Sequence, residues 1–304
     1  MRNTKIVFVI FTVVVAFLTI RSSQAEERTI TEPPENIRTE WKLSTFYKKC
    51  IVTDGFPIVA SEQVSDYALK EAAFLVDQML QGRDDLRKAL IKHHIRLAIM
   101  APTELTTMMP EHSDLKPSKY WDKRARGLGA TKARPAVSCA EENLLEFPGD
   151  PYHGENITIH EFSHAIHEIA LAEVEPKFNG RLKVAYDSAI QKGLWKNTYA
   201  ATNHAEYWAE GVQDWFHCNR TNVRDHNHVN SRAQLREYDP ELAKLMEEVF
   251  RNNDWVYTFP SLRKEPLHLA GFDRTTAPKF AWPRELVEWY DKYEAEQKQK
   301  KQTQ

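Results

Sequence analysis

The chain lacks a strong charge of either sign, with 41 basic and 43 acidic side chains in 304 residues and a formal net charge of −2. This balance gives no indication of nucleic-acid binding or of attachment to an anionic membrane. No long apolar run occurs after the first twenty or so residues, and we find no internal repeat of fixed period. The remaining length suits one sizeable domain with its own core.

Cysteine is also scarce. The three cysteines are Cys50, Cys139 and Cys218, which allow one disulfide and leave one thiol over. The sequence does not indicate which pair would form.

The N-terminus has the pattern of a secretory signal. A basic start is followed by the apolar run Ile6 to Ile20 and by small residues at Ser23 and Ala25. The run is shorter than the about twenty residues of a membrane-spanning helix. We therefore predict a signal peptide over 1–25, cleavage before Glu26 and a secreted, soluble protein. An uncleaved anchor is the alternative.

The most informative segment is HEFSH, which runs from His160 to His164 and fits the HExxH pattern of zinc peptidases. On a helix, residues four apart share one face, so both imidazoles can reach one metal ion. Glu161 is then placed to act as the general base toward a water on that metal. The surrounding apolar positions from Ile157 to Leu171 leave too narrow a polar face for an ordinary surface helix. All three cysteines lie outside the motif, which disfavours a structural zinc site.

A third metal ligand is predicted further along the chain. Glu206, Glu210 and Asp214 recur every four residues among large aromatic side chains and would form an acidic stripe on a helix. One of these carboxylates would bind the cation, and the next would orient a ligating histidine. The spacing alone leaves open whether Glu206 or Glu210 is the ligand.

The two motifs together resemble the catalytic domain of anthrax-toxin lethal-factor-like metallopeptidases. The similarity covers residues 155–217, where HEFSH is followed by Tyr199 and the segment TNHAEYWAE. The resemblance implies that His160, His164 and Glu206 bind one Zn²⁺, that Glu161 is the general base, and that Tyr199 assists at the oxyanion or leaving group. It also implies an α+β zincin-like fold. No partner-binding modules of the toxin are present.

The function expected from these features is that of a secreted zinc metalloendopeptidase acting on peptide or protein substrates. Two alternatives stay open: a catalytically inactive zincin-like binding protein, and a zinc amidohydrolase acting on a small amide. The shape of the cleft would distinguish them. A second metal site formed by the three histidines His217, His226 and His228 is disfavoured, because they lie in a polar segment without a helix pattern.

The predicted organisation is a signal peptide (1–25), a loose N-terminal arm (26–50), a catalytic domain (51–292) and a solvated polar tail (293–304). A small mixed sheet should precede a mostly helical C-terminal half. The predicted strands are 95–100, 105–109 and one around Val137, and the predicted helices are 61–80, 157–171, 178–192, 240–250 and 283–293.

Overall fold

Four short strands form one mixed sheet in the computed structural model, which describes residues 29–264 and 267–302. The strands are β1 (Lys49–Thr53), β2 (Phe56–Ala60), β3 (Arg96–Met100) and β4 (Ala136–Ala140), in the order β1-β2-β3-β4. β1 and β2 are antiparallel neighbours, whereas β2, β3 and β4 run parallel, with Leu97 opposite Ile58 on one side and Val137 on the other.

Most of the remaining regular secondary structure in the described residues consists of α-helices. They are α1 (Glu35–Glu40), α2 (Asp66–Met79), α3 (Asp84–Lys92), α4 (Ser118–Arg124), α5 (Glu141–Leu144), α6 (Ile157–Ala165), α7 (Ala172–Val174), α8 (Phe178–Gln191), α9 (His204–Trp215), α10 (Arg232–Tyr238), α11 (Pro240–Phe250) and α12 (Arg284–Gln302). A π-helical segment, Ile166–Leu171, joins α6 to α7. The predicted class, a small mixed sheet followed by a mostly helical half, is therefore confirmed at this level.

Both faces of the sheet are buried, as expected for parallel strands covered on two sides. Side chains alternate along each strand. On β3, Leu97 and Ile99 enter the main core with α2, α6 and α9, whereas Ala98 and Met100 enter a smaller cluster on the other face. Trp41 and Tyr47 cover that second face and are almost fully buried.

The segment predicted as a loose arm is thus partly ordered. Helix α1 lies within this segment, and Thr31 pairs with Cys50 at the edge of β1. β1 runs through residue 50, so the predicted boundary there does not coincide with a break in secondary structure. The predicted tail from residue 293 also differs, because α12 continues to Gln302. The signal peptide and its cleavage site lie outside the described residues.

Two elements differ from prediction for local reasons. The first long helix begins at Asp66 rather than near Ser61, because the Ser65 side chain accepts the hydrogen bond from Tyr67 N that caps it. Residues 105–109 form a 3₁₀ turn (Thr106–Met108) rather than a strand. Thr106 there donates its hydroxyl to Ala125 O, which ties the turn to the end of α4.

All three cysteines are buried and free in the structure. Among residues 29–264 and 267–302, no helix combines the length and the apolar character needed to cross a bilayer.

Candidate metal centre and catalytic site

Helix α6 places the HEFSH motif against the sheet and α9. Asn156 caps its start by accepting a hydrogen bond from Ile159 N, and the first helical residue, Ile157, donates its own N–H to Asn143 Oδ1. His160 and His164 are 6% and 9% exposed, so neither imidazole is a solvated surface group.

Helix α9 brings the predicted acidic stripe across α6. Asn203 caps α9 by accepting hydrogen bonds from Ala205 N and Glu206 N, which fixes the first turn that carries Glu206. The two helices are also joined away from the metal set, because Trp208 Nε1 donates to Ser163 O at 2.9 Å. This contact sets the rotation of α9 about its axis relative to the motif.

His160, His164 and Glu206 converge. Glu206 Oε2 lies 3.2 Å from His160 Nε2 and 3.5 Å from His164 Nε2. The candidate ligand atoms of the three residues all lie within 4.8 Å of one another, and among the described residues this is the one His, Cys, Asp or Glu group compact enough to hold a metal. Two imidazole nitrogens and one carboxylate oxygen are the donor set of a catalytic zinc site with an open position.

The hydrogen bond of His160 Nδ1, the ring nitrogen that faces away from Glu206, supports this assignment. His160 Nδ1 lies 2.8 Å from Gln213 Oε1 and donates to it. In the neutral imidazole, Nε2 then carries a lone pair that faces the Glu206 carboxylate. Two acceptor atoms repel one another unless a proton or a cation lies between them. The residues present thus fit a divalent metal.

The electrostatics of the pocket favour a cation as well. Burial alone would lower the pKa of His160, but the hydrogen bond with Glu206 and the charges of Glu161 and Glu210 raise it to about 10. Burial raises the pKa of Glu161, against the opposing positive charges of His160 and His164. A metal ion at this position would take the place of the proton that the carboxylates stabilise.

Glu210 lies behind the imidazole rather than in front of it. Its Oε1 is 3.5 Å from His160 Nδ1, on the opposite side of the ring from Glu206. Asn219 Nδ2 donates to Glu210 Oε2 and to Asp214 Oδ1, so the remaining two residues of the stripe share one buried amide. His226 Nε2 is 3.5 Å from Glu210 Oε2. The stripe therefore divides into one carboxylate that faces both imidazoles and two that are buried behind them.

Tyr199 lies beside the metal set in a 3₁₀ turn, Tyr199–Ala201. Its ring centroid is 6.1 Å from that of His160, and its hydroxyl accepts a hydrogen bond from Arg124 Nη2 at 3.4 Å. Burial raises the pKa of Tyr199, so the hydroxyl keeps its proton and can donate it in a hydrogen bond. The structure thus brings Tyr199 next to the three candidate metal ligands.

A glycine-containing loop, with Gly127 and Gly129, crosses the motif helix. A Cβ on Gly127 would lie 3.1 Å from Glu161 Cγ, and one on Gly129 would lie 2.9 Å from His164 Cβ. Between them, Leu128 pairs antiparallel with Ser138 at the free edge of β4. Glycine is needed here because the backbone passes directly over the site.

Sequence reasoning missed two residues of the site, Gln213 and Arg124. Gln213 lies seven residues after Glu206 on α9, a spacing that returns to the same helix face, so a signal was present for it. Arg124 comes from α4, and nothing in its local sequence connects it to the motif. The disfavoured second histidine site is absent from the described residues as a compact metal group.

No protein-family model matches the chain, and no curated protein matches it. The chain is similar to a solved structure of the PRO-PRO endopeptidase from Paenibacillus alvei, with 18% sequence identity, a TM-score of 0.36, and coverage of 65% of this chain and 98% of that chain. At this TM-score the likeness does not establish a shared fold, so a catalytic assignment depends on this chain's own residues.

Proposed function

We propose that the chain is a zinc-dependent metallopeptidase that hydrolyses peptide bonds. The observation that carries the proposal is the convergence of His160, His164 and Glu206 from two helices, with Glu161 beside them. The motif resemblance to lethal-factor-like catalytic domains supports the same roles for these residues. Tyr199 is the candidate donor to the oxyanion.

The metal, when bound, supplies a Lewis acid that lowers the pKa of water and polarises a carbonyl. The chain's own residues supply the rest. The Glu161 carboxylate accepts the proton of the attacking water and returns it to the departing amine. The Tyr199 hydroxyl donates a hydrogen bond to the oxygen on which charge develops. Gln213 holds His160 in the tautomer that leaves Nε2 free for coordination.

Export is part of the proposal. The basic start, the apolar run Ile6 to Ile20 and the small residues before Glu26 support a secreted enzyme. The test is N-terminal sequencing of protein recovered from the medium of expressing cells. We expect a chain that begins at Glu26.

The proposed activity is tested with the zinc-loaded mature chain and a diverse set of internally quenched peptides, with and without a chelator. Cleavage that the chelator abolishes and added zinc restores is expected. Stoichiometric zinc without cleavage of any peptide would instead favour a binding protein, and cleavage of small amides alone would favour an amidohydrolase.

The matched variant is Glu161→Gln, which removes the base and leaves all three metal ligands in place. We expect peptide cleavage to fall by roughly 10²- to 10⁴-fold, with one zinc still bound per chain as measured by elemental analysis. Full activity in this variant would contradict the assigned base.

A further inference from the structure

Arg124 is a cation at the mouth of the site. It is the last residue of α4, its side chain is exposed, and its Nη2 lies 3.4 Å from the Tyr199 hydroxyl. Its positive charge also lowers the pKa of Glu161, against the larger effect of burial. Arg124 therefore lies next to the candidate oxyanion donor, Tyr199, and close enough to the candidate general base, Glu161, for its charge to act on it.

The hydrogen-bonding capacity of Arg124 is mostly unused. A guanidinium has five N–H donors, and among the described residues the Arg124 side chain meets one acceptor, the neutral phenol of Tyr199. The buried arginines of the chain differ, because each pairs with a carboxylate: Arg83 with Asp85, Arg87 with Asp77, Arg96 with Glu111 and Arg126 with Glu142.

The neighbouring cations of the same segment are engaged elsewhere. Lys123 Nζ lies 3.8 Å from the centroid of the Trp282 ring. Arg126 is buried in its ion pair with Glu142. Of the basic residues at this end of α4, Arg124 is the one that faces the catalytic site without a carboxylate partner in the described chain.

Charge balance indicates what would complete this arrangement. Glu161 and Glu206 together offset the two charges of a divalent ion, so Arg124 leaves the mouth of the loaded site positive. A planar guanidinium with free parallel donors binds a carboxylate through two hydrogen bonds, and such charge-assisted pairs are the strong ones. A substrate carboxylate near the reacting carbonyl would satisfy both the geometry and the charge.

We propose that Arg124 forms a carboxylate subsite, and that the enzyme prefers peptides with a carboxylate close to the scissile bond. This inference rests on the proposed peptidase function and names its substrate class. The carboxylate belongs either to an Asp or Glu side chain or to the C-terminus of the substrate. The first source makes the enzyme an acidic-residue endopeptidase, and the second makes it a peptidase that trims chain ends.

The test compares three acetylated peptide sets of equal length: a Glu scan with an amidated C-terminus, the matching Gln scan, and Gln peptides with a free C-terminus. We expect the zinc-loaded wild type to cleave one carboxylate set with a kcat/KM about 10-fold or more above the amidated Gln set, as expected for a charge-assisted hydrogen bond. The set that is preferred identifies the source of the carboxylate.

The decisive variant is Arg124→Gln, compared with Arg284→Gln, which removes an equal charge from a side chain that is 90% exposed on α12. Arg124→Gln should remove most of the preference, mainly through KM, and the Arg284 variant should retain it. No preference in the wild type would overturn the subsite. An equal loss for carboxylate and amide peptides would also overturn it, because Arg124 would then act through Tyr199 or Glu161 on the reaction itself.

A binding measurement separates this inference from the proposed activity. Zinc-loaded Glu161→Gln, with and without Arg124→Gln, is titrated with fluorescent versions of the three peptide sets. Tighter binding of either carboxylate set that requires Arg124, without cleavage of any peptide by the wild type, would keep the subsite and reject the peptidase. Cleavage without any carboxylate preference in rate or binding would keep the peptidase and reject the subsite.

Discussion

His160 is the residue on which the site depends most, because both of its ring nitrogens have assigned neighbours. Nε2 faces Glu206, and Nδ1 donates to Gln213 Oε1 at 2.8 Å. Gln213 is itself fully buried, and its Nε2 donates to Asn156 O at 3.3 Å, at the start of the motif helix. A single amide therefore links the orientation of the imidazole to the N-terminus of α6.

Replacing Gln213 by Leu should weaken zinc binding without removing a ligand. The His160 Nδ1–H would lose its acceptor, and the ring could adopt the wrong tautomer or rotate. Loss of such an outer hydrogen bond typically costs about 10- to 100-fold in metal affinity. Competition with a chromogenic chelator measures the dissociation constant. Gln191→Leu, at an exposed position on α8, is the control, and an affinity equal in both variants would contradict the role of Gln213.

The residue types of the site were predictable from sequence, whereas their partners were not. Helix geometry alone indicates that the two histidines of HEFSH share one face, and that the residues of the acidic stripe share another. Arg124 and His226 reach the site through tertiary packing, and no periodicity in their own segments reports it. Asn219 is a similar case. The segment Asn219-Arg220-Thr221 has the N-glycosylation pattern, which suggests an exposed loop, although the Asn219 side chain is buried and donates to Glu210 and Asp214.

At the scale of elements, the site depends on how α6, α9 and the loop Gly127–Gly129 pack together. The choice between Glu206 and Glu210 could not be made from spacing. Residues four apart on a helix differ in direction by only about 40°, so a small rotation of α9 about its axis would turn either carboxylate toward the histidines. The tie from Trp208 to Ser163 fixes that rotation. The loop packs over α6, where an added Cβ on Gly129 would meet His164.

Gly129→Ala should disturb the metal centre through backbone packing. An added Cβ would lie 2.9 Å from His164 Cβ, which is closer than van der Waals contact allows, so the loop or α6 must shift. We expect a lower melting temperature, with a loss of about 1–3 kcal/mol typical of overpacking, and weaker zinc binding. Both are measured on the same sample by thermal unfolding and chelator competition.

Gly180→Ala is the matched control for that substitution. Gly180 lies within α8, and an added Cβ there would meet no atom within 4 Å. Alanine in a helix interior is favoured over glycine by up to about 1 kcal/mol, so this variant should be as stable as the parent or more so. Destabilisation by both substitutions alike would show that the Gly129 effect is not specific to its contact with His164.

At the scale of the whole molecule, β3, β4 and the longer helices of the C-terminal half were predictable because their signals are local, whereas β1 and β2 were not predicted. The apolar run in β3 and the capped pattern Asp239-Pro240 that begins α11 each specify their own element. The burial of Trp41 and Tyr47 was not predictable, since a polar composition around two aromatic residues does not indicate which face of a distant sheet they cover.

Glu141 should make the metal-free protein less stable as the pH rises from 4.5 to about 7. Burial raises the pKa of Glu141 from 4.5 to about 7, against a hydrogen bond from Ser65 N. Because the folded chain holds this proton more tightly than the unfolded chain, its contribution is complete below pH 4.5 and is lost as the pH rises through 7. The slope is at most about 1.4 kcal/mol per pH unit from this group.

Urea unfolding between pH 4 and 8 measures this dependence. Glu141→Gln should flatten it, because the amide keeps the shape of the protonated side chain without titrating. Glu62→Gln, at an exposed position near the same strand end, should retain the slope. If Glu141→Gln and the parent lose stability in parallel over this range, Glu141 is not responsible.

Zinc should stabilise the folded chain as a whole, and this provides the sharpest test of the metal ligands. A ligand that binds the native state alone at 100 times its dissociation constant adds about 2.7 kcal/mol of stability, which appears as a rise in Tm over the chelated protein. Glu206→Gln should abolish most of that rise, because Glu206 Oε2 faces the Nε2 atoms of both histidines. Glu210→Gln should retain most of it, because Glu210 lies on the Nδ1 side of His160. The opposite result, with the zinc-dependent rise lost in Glu210→Gln and kept in Glu206→Gln, would mean that α9 turns its second carboxylate toward the metal when zinc binds.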